Sequence, residues 1–158
     1  MSMERAREHL KEYGLDGRIQ IFSVSSATVE LAAQALDCEE KRIAKTLSFD
    51  QNGNTVLVAA GDAKVDNAGY KAVFGCKARM LPAAEVEGRV GHAVGGVCPF
   101  GVNDGVRVYL DESLRRFDTV YPACGTADSA IELTLDELEG TSGSLGWVDV
   151  CKGWREEP

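Results

Sequence analysis

Three groups of side chains in this 158-residue chain are of types that do chemistry. The first is Lys45. In the run from Ile43 to Phe49, residues Ile43, Lys45, Leu47 and Phe49 fall on one face of a strand, and Ala44, Thr46 and Ser48 on the other. The lysine thus shares the more apolar face, where an ammonium without a partner is costly. Periodicity alone favours a lysine at the strand's start that extends its head to water. The functional alternative is a fixed cation at the mouth of a pocket, aimed at a carbonyl or phosphate oxygen. The second group is the stretch 91–105, GHAVGGVCPFGVNDG, with five glycines and one proline in fifteen residues. This is a backbone built to bend and to be approached closely. Gly95 and Gly96 are expected to offer consecutive N–H groups to an oxyanion or carboxylate, Pro99 to stiffen the exit and Gly101 to complete the turn. The spacing is neither a P-loop nor a dinucleotide fingerprint. The third group is Cys98 with His92, a thiol and a base six residues apart, as a cysteine hydrolase would need. The alternative is a thiol packed beside a proline. Asp104, Asp128 and Asp136 are candidate pocket carboxylates, and His9 is assigned no role. No H-E-x-x-H, G-x-S-x-G or metal triad is present, so neither a metal nor a cofactor is expected.

Elements must hold these residues in place. Met3, Ala6, Leu10 and Tyr13 fall at helical spacing, with Gly14 as a stop. A strand is expected from Arg18 to Val24. A helix capped by Ser26 or Thr28 follows to Leu36, with Val29, Ala32, Ala33 and Leu36 as its narrow apolar stripe. Asn52-Gly53 between Ala44–Gln51 and Thr55–Ala60 is the best hairpin signal in the chain, and the second strand, apolar on both faces, should be central. Asp62 is expected to cap a helix over Val65–Phe74. A short strand should follow at Cys76–Met80, then a helix opened by Pro82. Further strands are expected at Val106–Leu110, Asp118–Tyr121, Ala130–Leu133 and Trp147–Val150, a turn at Cys124–Thr126 and a short helix at Leu135–Leu138. The fold class is mixed α/β: a central mixed, largely antiparallel sheet flanked by helices.

Length and composition suit one domain spanning 1–158, with fraying expected from Gly153 onward. No apolar run is long enough for a membrane span and no signal peptide opens the chain, so a cytoplasmic protein with no membrane partner is expected. The five cysteines are odd in number and contain no C-x-x-C, which argues against a zinc site or a disulfide framework and for a reducing compartment. A net charge of −8 argues against indiscriminate binding to a phosphate backbone. The charge is uneven, however. Lys41, Arg42, Lys45, Lys64, Lys71, Lys77, Arg79 and Arg89 all lie in the middle third, which is where contact with a polyanion is expected.

Three of these pieces, in this order, resemble the YbaK/prolyl-tRNA synthetase-associated editing domain family. Arg42-Ile-Ala-Lys45-Thr-Leu resembles its lysine-bearing strand, and Val90-Gly-His-Ala-Val-Gly-Gly-Val-Cys-Pro-Phe-Gly101 its glycine-rich pocket motif. Ala123-Cys-Gly-Thr with Ala130-Ile-Glu-Leu133 resembles its last pocket loop and following strand. Val58-Ala-Ala-Gly-Asp62 sits where the family has a strand ending in Gly-Asp, and the likeness runs from about Phe22 to Leu138. The resemblance implies a compact α/β fold and hydrolysis of wrongly charged aminoacyl-tRNA in trans, mainly tRNA(Pro) carrying Ala or Cys, with Ser and Thr in other branches. It implies Lys45 as the catalytic residue. Thr46, Gly95, Gly96, Val97, Cys98, Pro99, Gly101, Gly125 and Thr126 are implied to bind substrate. The expected partner is the acceptor end of aminoacyl-tRNA, with prolyl-tRNA synthetase or another synthetase as a further one. His92 stands where many members have an aromatic residue and Cys98 where many have Ser. The loop from Cys124 to Ser129 lacks the histidine that Ala-specific members often carry. The alternative function on the same scaffold is a non-catalytic module that binds an aminoacyl or nucleotide group.

Overall fold

The computed structural model describes residues 2–23, 25, 28–51 and 53–155. Its frame is a six-stranded mixed sheet that starts from the hairpin. Strand β2 (Ile43–Asp50) and strand β3 (Asn54–Ala60) form an antiparallel ladder of seven pairs, from Ala44 opposite Ala60 to Asp50 opposite Asn54. Gly53 has φ 133°, in the region that favours glycine, and Gln51 N–H donates to its carbonyl at 2.9 Å. Asn52 lies outside the described residues. β3 pairs on its other side, in parallel, with β5 (Arg107–Asp111), and β5 in parallel with β9 (Trp147–Val148). Beyond β2 come β6 (Thr119–Pro122), parallel, and β8 (Leu133–Thr134), antiparallel to β6. Val56–Ala60 of β3 are at most 1% exposed, as expected of an all-apolar central strand.

Five α-helices are found among the described residues: α1 (Ser2–Lys11), α2 (Val29–Leu36), α3 (Asn67–Phe74), α4 (Ala83–Val90) and α5 (Leu135–Ser142). Thr28 caps α2 by accepting Leu31 N–H at 3.1 Å. Thr134 and Glu137 form a reciprocal capping box on α5. α2 stands apart from the main core. Its Ala32 and Ala33 pack with Ile43 in a small cluster of their own, with Tyr121 at its margin.

Several expected elements are shorter or divided. The strand from Arg18 to Val24 reduces to β1 (Gln20–Ile21), because Asp16–Arg18 close into a 3-10 turn; Val24 is outside the described residues. The helix expected from Val65 begins at Asn67, because Lys64–Val65 pair as β4 with β10 (Cys151–Lys152). The N-cap position of that helix is Asp66, not Asp62, which pairs with Arg116. Cys76–Met80 makes a single bridge, Met80 to Phe49, rather than a strand. The strand expected over Ala130–Leu133 divides between β7 (Ser129–Ala130), which joins β1, and β8, which joins β6. The last expected strand, Trp147–Val150, shortens to β9, and β10 forms just beyond it. Near the C-terminus the Trp154 indole N–H donates to Cys151 O at 3.0 Å, and the Arg155 guanidinium pairs with Asp149 at 2.5 Å.

Between β5 and β6 lies an unanticipated 3-10 turn, Glu112–Arg116. Asp111, wholly buried, starts it: its carboxylate accepts Ser113 N–H at 2.9 Å and Val150 N–H at 3.0 Å. Asp111→Ala leaves both amides buried and unpaired, so a loss of about 2–5 kcal/mol is expected in urea unfolding. A loss below about 1 kcal/mol would refute this assignment.

Candidate active site

A cavity of about 410 Å³ opens beside β2. One wall is α2, through Thr28, Val29 and Ala32; the floor is β2 from Ile43 to Ser48. The rest is closed by Met80, Leu81 and Val86, by Val94, Gly95 and Val97 of the glycine-rich loop, and by Tyr121, Ala123, Ser129 and Ala130. Among the described lining residues Lys45 alone is charged.

The cavity exists because β2 loses its outer neighbour partway along. Ala44 still pairs with Pro122 of β6, and farther on Ser48 O accepts Leu81 N–H at 3.0 Å and Asp50 N–H donates to Arg79 O at 2.8 Å. Main-chain groups alternate sides along a strand, so those of Thr46 face the gap between these two attachments. The Thr46 hydroxyl is also buried, without a hydrogen-bond partner among the described residues.

Lys45 does not extend its head to water. Its ammonium donates to Gly61 O at 3.3 Å and to Ala63 O, the two carbonyls flanking Asp62 at the end of β3. Burial lowers its pKa from the ordinary lysine value; the negative charge of Asp62 opposes this and Lys64 reinforces it. The nearby Cys151 thiol, pushed by burial up to about 12, is uncharged at neutral pH. Two of the ammonium's three protons are thus committed to carbonyls.

The other expected site residues divide into two groups. Thr46, Gly95 and Val97 share the cavity with Lys45, whereas Gly96, Cys98, Pro99, Gly101, Gly125 and Thr126 are not among its lining residues. Gly96 N–H donates to Ala93 O at 3.0 Å, so Gly95 and Gly96 do not present a consecutive pair of free donors. Gly96 instead sets the spacing of two loops, since a Cβ there would lie 2.5 Å from the Gly125 carbonyl carbon. Gly101 packs on the Arg5 backbone, and its N–H donates to His9 Nδ1 at 3.0 Å, so His9, given no role from sequence, tethers the loop. The Thr126 hydroxyl is engaged within its own turn by Asp128 at 2.7 Å, and Asp104, Asp128 and Asp136 do not line the cavity.

Cys98 and His92 do meet, at 3.6 Å, but as buried packing. Both are 0% exposed. Burial pushes the Cys98 thiol up to about 12 and pulls the His92 imidazole down, the opposite of what a thiolate–imidazolium pair requires. His92 Nε2 is occupied by Phe100 O at 2.6 Å. Cys98→Ser should therefore keep turnover within about threefold of wild type, since a nucleophile's loss costs orders of magnitude. A larger drop in a folded variant would restore the cysteine reading.

Among the described residues no group of three or more His, Cys, Asp or Glu side chains could hold a metal, and no helix is long and apolar enough to cross a membrane. Ser129, Tyr121, Leu81 and Val86 also line the cavity, and no motif in the sequence marks them. Only the apolar stripe of α2 signalled its contribution.

A mixed sheet with a hairpin at its centre, interrupted beside a half-buried lysine and closed by a glycine-rich loop, defines an α/β domain with a largely apolar pocket whose described lining carries a single cation. The chain belongs to the aminoacyl-tRNA editing domain family, whose pattern matches residues 24–141. It is 51% identical over 156 residues to the uncharacterized protein YwhH of Bacillus subtilis (strain 168), covering 98% of this chain and 99% of that one. A crystal structure of a candidate trans-editing enzyme for prolyl tRNA synthetase superposes with a TM-score of 0.85 at 29% identity, over 96% of this chain and 98% of the other. A second crystal structure, of the hypothetical protein APE2540, gives 0.84 at 29% identity, over 94% and 99%.

Proposed function

We propose that this protein is a free-standing aminoacyl-tRNA deacylase that hydrolyses the ester of tRNA(Pro) mischarged with a small amino acid, Cys or Ala. The observation that carries the reading is the half-buried Lys45 ammonium, tied to Gly61 O and Ala63 O in the cavity that Gly95 also lines. An aminoacyl ester is already activated, so modest assistance suffices. Water adds to the ester carbonyl, the ammonium and nearby main-chain N–H groups stabilise the oxyanion, and collapse expels the terminal ribose oxygen, which takes up a proton. No protein nucleophile is required. Exposed Lys77 and Arg79 lie just before Met80 at the cavity mouth, where they suit the phosphates of an acceptor end. A prolyl-tRNA synthetase is the natural partner for such an activity, and the cytoplasm its natural place.

The apolar lining supports selection by size. One methylene is worth only about 1–3 kcal/mol in a hydrophobic pocket, so a synthetase cannot reject every near neighbour by binding alone. The test is a panel of mischarged tRNAs, including Ala-tRNA(Pro), Cys-tRNA(Pro), Ser-tRNA and Thr-tRNA, scored for released amino acid. Faster release from Cys- or Ala-tRNA(Pro) than from correctly charged Pro-tRNA(Pro) is expected. Binding of every member without turnover would leave a non-catalytic aminoacyl-binding module instead.

A further inference from the structure

We infer that Arg116 is a positioning residue for Lys45, acting through the turn Gly61-Asp62-Ala63; the inference rests on the deacylase reading for its effect on rate. One short turn carries both contacts. Its main chain supplies the two carbonyls that take the Lys45 ammonium, and its central side chain, Asp62, is gripped by the Arg116 guanidinium at 2.9 and 2.5 Å. Side chains three apart eclipse one another on a 3-10 turn, so Ser113 and Arg116 of Glu112–Arg116 present a common edge to the end of β3. Ser113 Oγ accepts Ala60 N–H at 3.1 Å, and Arg116 takes Asp62 two residues later.

Arg116 is itself fixed. Its Nε donates to Ser113 O at 2.9 Å, one terminal nitrogen to Trp154 O at 3.0 Å, and its plane lies over the rings of Phe117 and Trp154. It thereby ties Trp154 to the turn that holds the lysine. Burial would raise the Asp62 carboxyl, but the hydrogen bonds and charge of Arg116 outweigh it and hold Asp62 below its ordinary value. The groups that face Lys45 electrostatically are Asp62, Lys64 on β4 and Cys151 on β10. Of these, Asp62 is the carboxylate able to draw the ammonium off its two carbonyls. Pairing with Arg116 keeps Asp62 from doing so.

The experiment uses the full chain labelled with ¹³C-lysine. The Lys45 ε-carbon is followed by NMR against pH, and its signal is assigned by its loss in Lys45→Arg. In Arg116→Met the freed Asp62 carboxylate takes the ammonium, so the Lys45 midpoint should move upward. In Asp62→Asn it should move downward. On Cys-tRNA(Pro) and Ala-tRNA(Pro), Arg116→Met should lower kcat by about 10- to 100-fold, the size expected of a misplaced catalytic group, with KM little changed. Arg116→Lys should recover part of the loss. The double variant Lys45→Ala/Arg116→Met should be no slower than Lys45→Ala alone, because Arg116 acts through the missing amine. An unmoved Lys45 titration in both Arg116→Met and Asp62→Asn, each folded by thermal melt, overturns the inference, as does a double variant clearly slower than Lys45→Ala. If the wild type turns over neither tRNA, the deacylase reading fails, and the NMR titration still decides whether Arg116 governs the lysine.

Discussion

Lys45→Ala is expected to lower deacylation by about 10²–10³-fold, the loss of one preorganised donor to a developing oxyanion, equivalent to about 3–4 kcal/mol. The loss should fall mainly on kcat, since the ammonium serves the transition state more than the ground state. Stability should change little. Removing a half-buried cation relieves its desolvation, while the carbonyls of Gly61 and Ala63 lose a donor, and the two effects oppose each other. The pH profile gives an independent check. Burial favours the neutral amine, so the active ammonium is lost as pH rises through a value below the ordinary lysine pKa of 10.5. Wild-type turnover should accordingly fall on the alkaline side earlier than an exposed lysine would allow. Single-turnover rates on Cys-tRNA(Pro), with thermal melts of both proteins, measure both effects. A Lys45→Ala variant that keeps wild-type rates would end the catalytic assignment.

Gly61→Ala should be strongly damaging for so small a substitution. A Cβ at Gly61 would lie 2.0 Å from Glu40 O and 2.7 Å from Val29 Cγ1. The nearest obstacle is main chain, which cannot swing aside as a side chain would. Either the turn that holds Lys45 or the segment leading into β2 must move, and a shift of about 1 Å at a catalytic group is worth about 10²-fold in rate. Overpacking of this kind costs about 1–3 kcal/mol and should lower Tm visibly. Gly140→Ala, inside α5 with nothing among the described residues within 4 Å of the added carbon, is the matched control. It should hold or raise Tm by removing a helix-interior glycine, worth about 0.5–1 kcal/mol. Equal melting temperatures and equal rates for the two variants would refute the steric account.

The residues differ in how far each could be read in advance. The β2–β3 hairpin was legible because its cues are local: an Asn-Gly turn between two apolar runs. The helices near Met3, Val29, Asn67 and Ala83 were legible from spacing and caps, though α3 starts two residues later than expected because β4 claims Lys64 and Val65. The division of the strand after Asp128 had no local signal. Ala130 and Leu133 join different neighbours, β1 and β6, that are distant in the chain. At the site, Lys45, Gly95 and Val97 could be named from residue type and resemblance. Cys98 and His92 could not be sorted from a catalytic pair by spacing, since only burial shows that the thiol stays protonated.

By itself the amino-acid order determined a mixed α/β domain, its central hairpin, a lysine on the apolar face of a strand and a bent glycine-rich segment downstream. Those follow from periodicity, turn chemistry and backbone freedom, which act over a few residues. Tertiary structure alone decided that the lysine turns to the carbonyls of Gly61 and Ala63, that Arg116 holds the Asp62 between them, and that β2 loses its outer strand neighbour beyond Ala44, beside the cavity. Each of these depends on a contact between segments well separated in the chain. Such contacts are set by which surfaces pack once the core closes, and no local pattern encodes them.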